Sequence, residues 1–556
     1  VKKLNLAFGL IAGMIAGDSL AAEGSQNTPV KVIPEVKHDV SEPLKDMASK
    51  IPSTMKHSKQ AIPLITVPLK LEPLKEHFID EALQPHIELP LKTIPGLSFL
   101  GLGVGFTGFN PTVFPPDPNA SIGLTQIVQW VNTSYAVFNK ATGQLIMGPT
   151  PGNALWAGFG GPCETSNNGD PIVKFDQLAN RWVMTQFAID DPQHNTQCVA
   201  VSTTPDATGT YNRYAFDFGT NFNDYGKLGV WPDAYYMMFV MFPGGAPDDS
   251  IKTAFPTNGG PAACAMDRLN MLAGNAATMQ CFQPQPAAGI FLPSDLDGHR
   301  LPPPGAPNYF VGLLQNDQGV TSRDFLAMWR FHVDWQNPEK SQFKGPKKLR
   351  VKRFNPHICD NTQGNVEGDC AVQPGTNVKL EVLADRPMYR LAYRNFGLFQ
   401  SLVVNHNVQI GDQIPGTRWY EIRVDLLGKA FVHQQGTYMQ HDGNGRWMGS
   451  IAMDKTGNMA LGFSVSGPSM FPSIHYTGRR FWDLPNTMRT ENTIVDGGGF
   501  QLPFRVGERN RWGDYSSMAI DPSDDCTFWY TNEFIQTSGN ANWSTQISSF
   551  RFPNCR

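Results

Sequence analysis

The stretch RWMGSIAMDKTGNMALGFS, Arg446 to Ser464, returns in altered form as RWGDYSSMAIDPSDDCTFWYT, Arg511 to Thr531. Each copy carries an Arg-Trp pair, a serine, an apolar residue followed by Asp, a short polar turn and an apolar run. The scheme recurs around Asn139 in AVFNKATGQLIMG and around Asp176 in VKFDQLANRWVMTQF. An Asp or Asn at the start of a turn accepts backbone N–H bonds, and the flanking apolar residues suit a sheet, so the unit reads as a β-hairpin. A lone hairpin cannot bury its apolar face, whereas radially repeated small sheets can.

Counting units that begin with a strand-like run gives seven: LTQIVQWV near 124, DPIVKFD near 170, DAYYMMFVMF near 233, NYFVGLLQ near 308, RPMYRLAYRN near 386, MGSIAMD near 448 and DYSSMAID near 514. Their spacing leaves room for four strands and loops per unit, except for a short first interval. The expected fold is therefore an all-β, seven-bladed β-propeller, with six blades as the alternative count. The run STQISSFRF from Ser544 is expected to supply the missing outermost strand of the first unit and close the ring, which removes open sheet edges. Charged residues are 17% of the chain, below the usual share of about 25%, and 53 Gly and 44 Pro supply the turns such a fold needs.

Ahead of this region, Lys2 and Lys3 precede an apolar run from Leu6 to Gly17 and small residues at Ala21 and Ala22. That layout predicts a cleaved secretory signal over 1–22 and a secreted or periplasmic protein without a transmembrane span. Residues 23–97 interleave Lys, Pro, His and Glu with single aliphatics and read as a semi-rigid spacer with one short helix near Lys75 to Leu83. The propeller itself is expected over 98–556. In an exported chain an even number of cysteines points to disulfides. Order in the sequence suggests Cys163 with Cys198, Cys264 with Cys281, Cys359 with Cys370, and Cys526 with Cys555, while spacing alone leaves other connectivities open. A net charge of −4 provides no global basic field for nucleic acid.

The turns at Asp454 and Asp521 resemble weakened Asp-box turns of sialidase-like propellers; SMAIDPSDDCTFW keeps Ser517, Asp521 and Trp529 but has Asp where the glycine would stand. From PPDPN at 115 through RWGDYSSMAIDP the chain also resembles a group of exported bacterial propeller proteins of unassigned activity. The resemblance implies the fold, and it assigns Asp176, Asp454 and Asp521 to the scaffold.

The acids that precede expected inner strands form the candidate site: Asp117, Asp170, Asp233, Asp385 and Asp514, with Arg386, Arg446, Trp447 and Arg511 beside them. A common mouth lined by these groups would hydrogen-bond a glycan or another extracellular polymer or protein. Asp170, Asp233 and Asp514 are also candidates for Ca²⁺, the one cofactor under consideration. Like charges this close require a cation or raised pKa values. The competing class is a glycoside hydrolase of sialidase-like type, which would draw on Arg386, Arg390, Arg394, Arg446, Arg511, Tyr389, Tyr515 and Glu533. Arg386, Arg390 and Arg394 share one face of a strand, so only one end of that row can reach the mouth. His406 and His441 are candidate acids or bases, and Trp231, Trp447 and Trp512 candidate sugar platforms.

Overall fold

A computed structural model describes residues 29–50, 60–61, 78–85, 88–244, 259–284, 289–314, 323–356, 369–411, 414–505 and 509–556. The chain is all-β, built from antiparallel meanders that follow one another in sequence. The first sheet runs Pro118–Ile122, Gln126–Val131, Ser134–Asn139, Leu145–Pro151. The second starts at Gly169–Asp176 and ends at Tyr211–Asp217, and the third starts at Asn221–Val230 and ends at Thr278–Phe282. An eight-stranded sheet follows. It consists of one meander from Phe291–Leu296 to Gln342–Lys352 and another from Met388–Asn395 to Ala430–Tyr438, joined by parallel pairing of Ser294 with Leu391 through Leu296 with Tyr393. Gly445–Met453 opens the next sheet and Ser517–Ile520 the last.

The leading strands of these meanders lie side by side and are tied by polar side chains. Asn119 accepts from Val173 N at 2.9 Å and donates to Pro171 O at 2.7 Å. Asp295 accepts from Val230 N at 3.0 Å. Ser450 Oγ donates to Tyr389 O and accepts from Met518 N. Ser517 Oγ donates to Ala120 O at 3.1 Å, returning the circuit to the first sheet. Such close approach excludes side chains at some points: a Cβ on Gly229 would stand 2.5 Å from Ser294 O. Because backbone groups at this packed centre are buried, each needs such a partner.

Four of the seven expected leading strands are correct, and three are off by one strand. The runs near 124, 233 and 308 are second strands, flanked on both sides and therefore mostly apolar. The true leading strands, Pro118–Ile122, Asn221–Val230 and Phe291–Leu296, carry the polar residues of the centre, Asn119, Ser121, Asn223, Lys227, Ser294 and Asp295, so a search for apolar runs passes over them. The closing strand is also different. Ser544–Arg551 is the third strand of the last sheet, and Ile94–Leu100 from the N-terminal side pairs with it as the fourth. The first sheet has its own outer strand, leaving no slot for Ser544–Arg551.

The described parts of 23–97 do not stand away from the sheets as a spacer would. Lys31–Pro34 pairs with Thr278–Phe282, and Lys37–Val40 pairs with Tyr211–Asp217, adding a fifth strand to the third and second sheets. Leu44 and Met47 of the short helix Leu44–Lys50 are buried. Asp80, also buried, binds Arg418 and Thr437. In the stretch expected to be helical, residues 81–82 form a turn and Leu83 bridges to Thr437, while 75–77 lie outside the described residues.

Cys163–Cys198, Cys264–Cys281 and Cys526–Cys555 are disulfides, as expected from their order. Cys370 is disulfide-bonded too; its expected partner Cys359 lies outside the described residues, as does the expected signal 1–22. Among the described residues no helix is long and apolar enough to cross a membrane. The turn acids act as scaffold: Asp176 accepts from Leu178 N and Ala179 N, Asp454 from Thr456 N and Asn458 N, and Asp521 from Ser523 N.

Candidate functional site

The starts of the leading strands converge. At four of them the strand register breaks, between Gly169 and Ile172, between Asp224 and Lys227, between Met388 and Ala392, and between Trp447 and Ser450. Within these breaks Asp170, Tyr225 and Met448 adopt φ of 46°, 52° and 48°, and Asp117, just before Pro118–Ile122, has φ 44°. Left-handed backbone is uncommon for non-glycine residues and unfavourable for Tyr and Met. A bulge of this kind turns a side chain away from the regular alternation, and such strain is kept only where the surroundings over-determine it.

Four candidate acids meet here. Asp117 Oδ1 accepts from Asp514 N at 2.7 Å. Asp170 lies 3.7 Å from the Lys227 ammonium. Arg511 reaches Asp514 at 2.6 Å and Glu381 at 3.0 Å, and Arg386 is held by Asp385 at 2.7 Å and lies over the Tyr225 ring at 4.5 Å. Asp385 and Asp224 keep partial exposure while the others are buried. Burial, with the neighbouring Asp514 and Asp170 carboxylates, holds Asp117 well above the ordinary carboxylate range. Burial also raises Asp170, opposed by Lys227. Desolvation and Asp170 push Asp224 up to about 8. Lys227 is lowered by burial, against the pull of the surrounding carboxylates. The repulsion expected among these acids is thus relieved by guanidinium and ammonium groups and by protonation.

Asp233 is not part of this group. It lies beyond the far end of Asn221–Val230, where Tyr236 OH donates to it at 3.3 Å and Arg268 binds Asp176 nearby. Its assignment failed because Tyr235–Pro243 is a second strand, so Asp233 follows a leading strand and does not precede one. Asp170 and Asp514 therefore lack the third Ca²⁺ ligand proposed for them, and among the described residues no group of three His, Cys, Asp or Glu side chains could hold a metal. Arg446 is fully buried between Asp442 and Glu491, with His475 on Glu491. Trp447 is buried against Trp512, and Trp231 against Tyr393, so none of the three offers a sugar platform.

The row of arginines divides along its strand as its spacing implied. Arg386 stays with Asp385 and Tyr225, Arg390 pairs with Asp295 at 3.2 Å and with Asp297 further along, and Arg394 binds Asp525 at 2.6 Å at the far end. His406 is buried against Tyr420, and burial lowers its pKa well below the usual histidine value.

Sequence reasoning missed Asp224, Tyr225, Lys227 and Glu381. The Lys227 ammonium lies 3.5 Å from the Tyr225 ring centre and 4.0 Å from that of Tyr515. A signal existed: NDYGK at 223 and GDYSS at 513 share an Asp-Tyr pair, and both tyrosines flank the same lysine.

No family model matches the chain, and no curated protein matches it. Among solved structures, a Hadza microbial sialidase aligns at 11% identity over 78% of this chain and 74% of its own, with a TM-score of 0.35. A polysaccharide lyase described as an ulvan lyase aligns at 10% identity over 81% of each chain, TM-score 0.28. A protein of unknown function from Dyadobacter fermentans aligns at 10% over 60% of this chain and 95% of its own, TM-score 0.25. Likenesses this weak fix neither fold nor function.

Proposed function

We propose that this protein is an exported, seven-bladed β-propeller that binds a glycan or another hydroxyl-rich extracellular polymer at its channel mouth. The blade number is supported by seven antiparallel meanders whose leading strands bond around a closed circuit. Export is supported by the disulfides and by the leader-like sequence. The observation that carries the binding role is the convergence of Asp117, Asp170, Tyr225, Arg386, Arg511 and Asp514 from five separate segments at one end of the strands. Carboxyl, guanidinium and phenol groups supply the donors and acceptors that orient a polar ligand. A glycan array of the chain without residues 1–22 tests this: retention of a defined glycan set, lost in Asp514→Asn, is expected. Retention of none overturns the reading.

A hydrolytic reading is favoured by the placement of Asp224, partly exposed at a register break beside buried carboxyl groups, where burial and Asp170 push it up to about 8. A carboxyl group kept protonated near neutral pH beside ionised ones is what a general acid needs. Turnover of fluorogenic glycosides that disappears in Asp224→Asn would establish it in place of simple binding.

A further inference from the structure

Exposed large apolar side chains are spread unevenly over this molecule. Among the described residues the segments near 117, 170, 225, 386 and 514 carry none, whereas the turns at the other end of the leading strands carry several. There Asn395 pairs with Gln400, Val424 with Ala430, Met453 with Met459 and Met459 with Arg479, so the connecting turns all emerge on one face. Leu426 and Leu427 form one tip and are 72% and 93% exposed. Leu398 in the adjoining turn is 78% exposed, and Phe481, Trp482 and Leu484 in the last turn are exposed by half or more. These turns touch one another. A Cβ on Gly457 would stand 3.3 Å from Phe481 and 4.0 Å from Phe396, and the Arg423 guanidinium lies over the Phe399 ring at 4.1 Å. Single exposed leucines are ordinary, but a group of them on adjoining turns marks a docking surface.

A second, independent feature is the charge around these tips. Arg330 and Lys347, from the neighbouring meander, donate to Gly428 O and Ala430 O and so flank the Leu426–Leu427 tip, with the exposed Lys429 beside them. Desolvation and the nearby Arg330 and Lys429 hold Lys347 below the ordinary lysine range, opposed by Asp425. Asp425 accepts from Leu427 N and Lys429 N in its own turn, and Asp483 in the last turn is bound by Arg489 at 2.6 Å. In that turn the Arg480 guanidinium lies 5.5 Å from the centre of the Trp482 ring.

We propose that this face docks onto an anionic lipid surface. Leucine and aromatic side chains at turn tips, with cations beside them, suit the boundary where apolar groups enter the acyl region and cations meet lipid phosphates. A bilayer requires no complementary shape, which fits apolar groups that project from separate turns. Tryptophan is favoured at such a boundary, and a guanidinium above its ring stays at headgroup level. Docking in this orientation turns the Asp117–Asp514 end of the strands away from the lipid, whatever that end binds.

Vesicle flotation of the chain without residues 1–22, which keeps every described sheet, tests this. Equimolar phosphatidylglycerol–phosphatidylcholine vesicles are expected to retain the protein at least about tenfold better than pure phosphatidylcholine, an advantage lost at high salt. Leu426→Ser combined with Leu427→Ser, and separately Trp482→Ser, change exposed tips; each is expected to lower retention at least about fivefold at an unchanged melting temperature. Lys429→Glu is expected to lower retention on the anionic vesicles only. No retention by anionic vesicles, or equal retention by both kinds, overturns the proposal. Retention that all three variants leave intact places the contact elsewhere and also overturns it. A dimer in light scattering that the double leucine variant dissociates, without retention on vesicles, assigns the face to a second copy instead.

Discussion

Asp224, partly exposed, and Asp80, buried, illustrate two ways a carboxyl removed from bulk water behaves in this molecule. Among the described residues Asp224 forms no ion pair, and burial with the neighbouring Asp170 pushes it up to about 8, above the ordinary unfolded value of about 4. Below the unfolded pKa the group is protonated in both states and costs nothing. As pH rises from about 4 toward 8 the unfolded chain ionises first, so stability falls through that window and levels off above it. Asp224→Asn is expected to flatten this part of the thermal stability profile measured against pH. Asp80 instead sits against the fully buried Arg418 at 2.5 Å, with Thr437 on its other oxygen. Asp80→Ala strands a buried guanidinium, and urea denaturation is expected to show a loss of about 3–5 kcal/mol with unchanged slope.

At the scale of elements, the N-terminal segment serves as edge cover. Strands Lys31–Pro34 and Lys37–Val40 occupy the outer edges of two neighbouring sheets, and Arg213 anchors the second through both oxygens of Asp39 at 2.8 and 2.7 Å. Open edges invite pairing with other chains. Deletion through residue 41 is expected to raise the oligomeric state seen by light scattering; an unchanged mass at an unchanged melting temperature would contradict this function of the segment. The Cys526–Cys555 bridge fastens the chain end beyond Ser544–Arg551 back to the last sheet. Cys555→Ser paired with Cys526→Ser is expected to cost about 2–4 kcal/mol.

The legibility of these elements followed their chemistry. Hairpin turns announce themselves through Asp and Asn at fixed offsets, so Asp176, Asp454 and Asp521 were read correctly. Second strands were mistaken for leading ones near 124, 233 and 308 because leading strands here carry polar residues that bond to their neighbours across the centre. That single error displaced Asp233 and hid Asp224, Tyr225 and Lys227. The N-terminal strands were illegible for another reason: Lys-Val-Ile-Pro and Lys-His-Asp-Val are mostly exposed, and their pairing is set by edges far away in sequence, which no local pattern encodes.

At the scale of the whole molecule, the sheets matter because they bring short segments from distant parts of the chain to one place. The proposed site draws on residues near 117, 170, 225, 386 and 514, whereas the other end of the leading strands is stitched by Asp176–Arg268, Arg394–Asp525 and Lys140–Asp521. Ligand binding at the mouth should therefore register on several sheets at once and at one end only. Hydrogen–deuterium exchange with and without a retained oligosaccharide measures this directly. Slower exchange is expected together in 115–119, 169–172, 224–228, 385–388 and 511–515, with no change in the turns 177–180, 454–458 and 521–525. Protection confined to a single segment, or found in those turns, would contradict a common mouth.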